Sequence, residues 1–138
     1  MSAICLIVAG VVRAVLPGPE FTLAWDHSVE RIRWEERYRA TGDGLLLVEA
    51  RVQGSGAGME PPSGATLRDG SWVWQPNSTH AELRLTRSTF TRDYVICASD
   101  RCAGLGDRVG ATAEGEVVSV RPCDRDTAPS AGREQVGR

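Results

Sequence analysis

Lysine is absent from this chain of 138 residues; all 16 basic side chains are arginine. The arginines are interspersed with acids and the net charge is −2. No basic footprint of the kind that draws nucleic acid is present, so nucleic-acid binding is excluded. A GC-rich coding sequence accounts for the arginine bias without any functional role. Other absences narrow the field further. The apolar stretch from Ala3 to Val12 is too short to cross a bilayer as a helix. Cys5 follows only four residues, which rules out a lipoprotein cysteine. The glycine loop Ser55-Gly-Ala-Gly58 lacks the Gly-Lys-Ser/Thr ending of a P-loop and runs into Pro61-Pro62 rather than a helix. There is no internal repeat and no amphipathic helix of convincing length.

What is present belongs to a folded chain. Hydrophobic residues make up 41% and charged residues 25%, a globular balance that argues against wholesale disorder. The length suits one domain, with 15 glycines and 7 prolines to turn many short strands. Residues 3–12 read in two ways. As a targeting segment they lack a basic n-region, and no small-residue cleavage site precedes Phe21. As structure, their β-branched content and Ala9-Gly10 predict a hairpin with strands near 3–8 and 11–16. The hairpin is favoured, which leaves any export signal outside these residues.

Phe21, Leu23, Trp25 and His27 alternate with polar neighbours, as do Trp34, Glu36, Tyr38 and Ala40. A loop of Glu30–Arg33 would set His27 opposite Glu36, Trp25 opposite Tyr38 and Leu23 opposite Ala40, keeping the apolar faces together. Thr41-Gly-Asp-Gly44 signals a turn, and the next strand is expected to place Leu46, Val48, Ala50 and Val52 on one face. Glu36 should then lie opposite Val48 or Ala50. Further strands are expected at Ser71–Gln75, with both tryptophans on one face, then from Ala81 and at Glu116–Arg121, with a hairpin around Ala98-Ser-Asp-Arg101. His80 falls in a polar loop. The fold class is all-β, a small antiparallel sandwich or partly closed barrel. One domain over residues 1–121 is followed by a polar tail, 122–138, disordered after Cys123.

The cysteines are Cys5, Cys97, Cys102 and Cys123. Two disulfides are expected, with three connectivities open. Zinc is disfavoured because Cys97 and Cys102 lack a knuckle's spacing and no second pair matches them. No metal and no cofactor is expected. The chemistry-bearing cluster is His27, Ser28, Glu30 and Glu36, in which an inward carboxylate needs a partner and imidazole suits it. This pair is either core architecture or a ligand site. On a strand Ser28 would point away from His27, so the two form no nucleophile–base pair unless the strand has already ended. The backbone of Ser55, Gly56 and Gly58 can converge on an anion, or simply bend the chain. Gly56 or Gly58 is expected at positive φ close to His27, offering donors to a small anionic ligand.

His27-Ser-Val-Glu30, Trp34-Glu-Glu36, Val48-Glu-Ala-Arg51 and Gly54-Ser-Gly-Ala-Gly-Met-Glu-Pro61 together resemble the bacterial domain-of-unknown-function 1850 family. The resemblance runs from about Cys5 to Cys123, with Cys5-Leu6 and Pro122-Cys123 as its ends. Asp26 departs from the apolar or aromatic residue expected just before the histidine. The resemblance implies a genomic link to tripartite ATP-independent periplasmic (TRAP) transporters with TAXI-type solute receptors. The implied function is a non-enzymatic, extracytoplasmic accessory or ligand-binding module, with the transporter permease or its TAXI receptor as partner. The alternatives are a small hydrolase or isomerase using His27 and Glu36 as an acid–base pair, and a purely structural partner. Cys97 and Cys102 are expected to face each other across their hairpin, and Cys5 and Cys123 to bridge the first and last strands.

Overall fold

The computed structural model describes residues 2–26, 32–54 and 63–128. Two-residue turns organise its hairpins. Ala9 and Gly10 have φ of 50° and 80° and join β1 (Ser2–Val8) to β2 (Val11–Pro17). Asp69 and Gly70, at 49° and 81°, join β6 (Thr66–Arg68) to β7 (Ser71–Trp74). Ser99 and Asp100, at 51° and 66°, join β10 (Val95–Ala98) to β11 (Arg101–Gly104). Positive φ at both central residues matches the turn's twist to that of the strands it connects.

The remaining strands are β3 (Glu20–Asp26), β4 (Arg33–Thr41), β5 (Gly44–Gln53), β8 (Ser78–His80), β9 (Leu83–Thr86) and β12 (Val117–Asp124). A five-residue helix, α1 (Leu105–Val109), precedes β12. The strands form two antiparallel sheets. The small one has the order β2-β1-β12-β9, and the large one β11-β10-β3-β4-β5-β7-β6. Strand β8 lies beside β5 at Leu45–Leu47, just past the stretch paired with β7. The architecture is the expected all-β one, sandwich-like rather than a closed barrel.

The two sheets enclose Ile4, Leu6, Val8, Val118 and Val120 on one side and Phe21, Leu23, Tyr38, Leu45, Leu47 and Ile96 on the other. Helix α1 plugs the edge with Leu105 and Val109. Contacts between the sheets run from β1 and β12 to β4 and β5. The outer face of the large sheet is a ladder of ion pairs. Arg39 reaches Glu20 at 2.7 Å, while Arg37 lies 3.6 Å from Glu20 and 3.5 Å from Glu49. These side chains are partly solvated, so each pair contributes little to stability.

Three sequence expectations are corrected here. The β3–β4 ladder pairs Phe21 with Tyr38, Leu23 with Glu36, Trp25 with Trp34 and Asp26 with Arg33. The register is therefore four residues away from the one expected. On β5 a bulge between the pairs Arg37–Glu49 and Tyr38–Leu47 leaves Val48 unmatched. It shifts the alternation, so Leu45, Leu47, Ala50 and Val52 point inward while Leu46 and Val48 do not reach full burial. Lastly, β12 continues past residue 121 to Asp124, pairing Pro122 with Ile4 and Cys123 with Ala3. Pro122 fits because β9 pairs with β12 only as far as Val120.

Both expected disulfides are present. Cys5 and Cys123 have Cα atoms 5.8 Å apart, and Cys97 and Cys102 have theirs 4.0 Å apart. Cys97 and Cys102 are directly paired behind the Ser99-Asp100 turn. This is the closer, non-hydrogen-bonded kind of cross-strand pair.

Candidate functional site

Alternation along β4 sends Arg33, Glu35, Arg37 and Arg39 to the outer face and Trp34, Glu36 and Tyr38 inward. The odd member is Glu36, a carboxylate on a face built for apolar side chains. Burying it is costly unless its oxygens find donors. The Tyr38 hydroxyl donates to Glu36 Oε1 at 2.6 Å. Burial, and then this hydrogen bond and the Glu36 charge, hold the Tyr38 phenol far above its ordinary ionisation range. Tyr94 is pushed upward too, by burial first and the Glu36 charge second. Both phenols therefore stay neutral beside the carboxylate.

Indole rings complete the cluster. Trp25 and Trp34, directly paired across β3 and β4, stack with centroids 6.1 Å apart and planes 9° from parallel. Trp74 meets Trp34 edge-on at 6.5 Å and 83°, and Tyr94 tilts against Trp25 at 6.0 Å and 59°. Ala50 lies opposite Glu36 on one side and Trp74 on the other, so a single methyl group separates the carboxylate's strand from the tryptophan's. All four tryptophans are half-buried, in contrast to the buried core under the small sheet. At the far side of Tyr38, the His80 ring stands edge-on at 6.4 Å. His80 belongs to strand β8 rather than to a loop, is exposed, and lies 3.2 Å from the Ser78 hydroxyl through Nε2.

The loop between β9 and β10 borders the site. Arg92 donates to Asp26 Oδ2 at 3.2 Å, tying that loop to the end of β3. This contact gives a use to the acid that stands before His27. Tyr94 is fixed through its own backbone, since the Leu105 N–H donates to the Tyr94 carbonyl at 2.8 Å. Asp93 assists by accepting the Gly106 N–H at 2.7 Å. Phe90, 87% exposed, projects from the same loop.

Of the site residues expected from sequence, the structure places Glu36 on the inner face and opposite Ala50, one of its two expected partners. His27, Ser28, Glu30, Ser55, Gly56 and Gly58 lie outside the described residues. The direct cross-strand pairing of His27 with Glu36 does not hold, because Leu23 occupies that position. Trp74 and Tyr94 were not assigned to the site by sequence reasoning. The same-face tryptophans of Ser71-Trp-Val-Trp74 were the signal for the first, while nothing local marks the second. Among the described residues, no group of three or more His, Cys, Asp or Glu side chains is arranged to hold a metal ion.

Fold and site together define an all-β, two-sheet module carrying one inward carboxylate within an aromatic cluster. The family model for the domain of unknown function DUF1850 matches residues 21–105, more than half of the chain, and the protein belongs to that family. The matched stretch runs from β3 to the start of α1 and contains Glu36 and each of the aromatic residues around it. No curated protein and no solved structure matches the chain.

Proposed function

We propose that this protein is a non-enzymatic, extracytoplasmic ligand-binding accessory module of a TAXI-type TRAP transporter, working with the permease or its solute receptor. The observation that carries the binding reading is the Glu36 carboxylate, held by the Tyr38 hydroxyl and bordered by Trp25, Trp34, Trp74 and Tyr94. Mostly apolar surroundings with a few placed polar groups are the usual makeup of a small-molecule site. A hydrolase or isomerase would need an acid and a base at one place. The pair expected for that chemistry, His27 and Glu36, is not set directly across β3 and β4, since Leu23 stands opposite Glu36.

Two disulfides and no free cysteine are compatible with an oxidising compartment outside the cytoplasm. Among the described residues, no helix is long and apolar enough to cross a membrane. The transporter link rests on the family's genomic association alone. It is tested by deleting the gene beside an intact TAXI system and measuring solute uptake, then restoring the chain or its Glu36→Ala variant. Uptake should fall on deletion, return with the intact chain and fail to return with the variant. Full uptake without the gene would overturn the accessory role.

A further inference from the structure

We infer that the Glu36 site takes a small organic cation, an ammonium or guanidinium group carried on an apolar body. The inference rests on reading the Glu36 cluster as a ligand site. The first ground is charge. On the large sheet, Glu20 and Glu49 are each within ion-pair distance of Arg37, Asp26 of Arg33 and Arg92, and Glu35 of Arg33. Glu36 is the exception. Among the described residues no arginine reaches it, and its one donor is a neutral hydroxyl bound at Oε1. A chain so rich in arginine has turned none of the described ones toward this carboxylate.

The second ground is the character of the walls. Indole faces attract cations through the ring quadrupole, more strongly as water is removed, and tryptophan is the best of the aromatic side chains for this. Trp25 and Trp34 stack nearly parallel, Trp74 stands perpendicular to Trp34, and Tyr94 closes against Trp25. Trp34, two residues from Glu36 on the same face of β4, and Trp74, across Ala50 from it, put aromatic surface on the carboxylate's side of the sheet, which complements a positive head group with hydrocarbon attached. The same arrangement repels an anion twice, through the carboxylate and through the ring faces. Ala50, between Glu36 and Trp74 in the strand order, keeps the intervening side chain to a methyl.

The test uses three probes of one shape and different charge: benzylammonium, benzyl alcohol and benzoate. Each is titrated into the full chain at constant ionic strength, with tryptophan fluorescence excited beyond the absorption of the probes. Saturable change with benzylammonium, at least tenfold tighter than with the other two, is expected. Glu36→Gln keeps the shape and an acceptor for Tyr38, and should weaken benzylammonium at least tenfold. Trp74→Leu should weaken it several-fold, and circular dichroism checks that both variants fold. Tighter benzoate binding overturns the cation while leaving the ligand-binding reading intact. Equal binding of all three, or indifference to Glu36→Gln, also overturns it. Saturation with none of the probes removes both.

Discussion

The inner face of the large sheet has two ends that share β3 and β4, with β5 completing one and β7 the other, and that are put to different uses. At one end Phe21, Tyr38, Leu45 and Leu47 lie beneath the small sheet with exposures of 7% or less. At the other, Trp25, Trp34, Trp72 and Trp74 remain half-buried on the face that carries Glu36. Strand β4 crosses from one regime to the other within five residues, from Trp34 through Glu36 to Tyr38. The β5 bulge beside Tyr38 keeps both ends of that strand facing inward, with Leu45 and Leu47 before it and Ala50 and Val52 after. Hydrophobic area alone does not separate the two ends, since the tryptophans are the larger side chains. What separates them is cover. Side chains packed on all sides supply stability, and large rings with one face spare are suited to holding something else.

The comparison can be broken most directly at the covered end. Replacing Cys5 and Cys123 together by Ala frees a loop of 118 residues. The chain-entropy model assigns such a loop about 5 kcal/mol, so the variant should be unfolded or nearly so at 37 °C. Phe21→Ala empties a site only 2% exposed, where the ring stacks on Tyr38 at 5.3 Å. A loss of about 4 kcal/mol is expected in chemical denaturation. If either change left the midpoint almost unmoved, the covered end would not be the seat of stability. The Cys97–Cys102 bridge closes only five residues, on the opposite side of β3 from β4. The same model gives about 2 kcal/mol for its removal. Cys102 is exposed and Cys5 is not, so mild reductant should open the Cys97–Cys102 bridge first. Mass spectrometry after alkylation reads the order, and preferential opening of Cys5–Cys123 would reverse this assignment.

Much of the frame was legible in the residues, and the failures have a shared physical cause. Ala9-Gly10 and the Ala98–Arg101 hairpin declare their turns locally, and the second of these sets Cys97 opposite Cys102. Alternation also named the inner faces of β3 and β4 correctly. It could not supply their register, because a slip of four residues, like any even slip, leaves every side chain on the same face. His27 was set beside Glu36 for that reason, where Leu23 stands. The bulge at Val48 was hidden by Leu45-Leu-Leu-Val48, a run apolar on both faces in which alternation carries no information. Pro122 suggested the end of a strand, and only the early ending of β9 shows why β12 tolerates it. Tyr94 joins the site through long-range packing that no local pattern encodes.

The smallest effect tests the hinge between the two ends. Tyr38 belongs to the covered core yet donates its hydroxyl to Glu36 of the aromatic cluster. Tyr38→Phe leaves the packing in place and removes that single donor from a charged acceptor. Because Glu36 is only half-buried, water can replace part of the bond, and a loss of about 1.5 kcal/mol is expected. The pH dependence is more telling. In the unfolded chain a tyrosine loses its proton near pH 10, while in the folded protein Tyr38 and Tyr94 hold theirs to higher pH. Above pH 10 the unfolded state therefore binds fewer protons than the folded one, and stability falls as pH rises. Their contribution is complete below pH 10 and lost progressively above it. Tyr38→Phe abolishes one of the two titrations, so its stability should decline less steeply between pH 10 and 11 than that of the unaltered protein. Parallel curves in urea denaturation over that range would mean that Tyr38 ionises as freely in the fold as outside it. The burial and the Glu36 contact could not then both be as described.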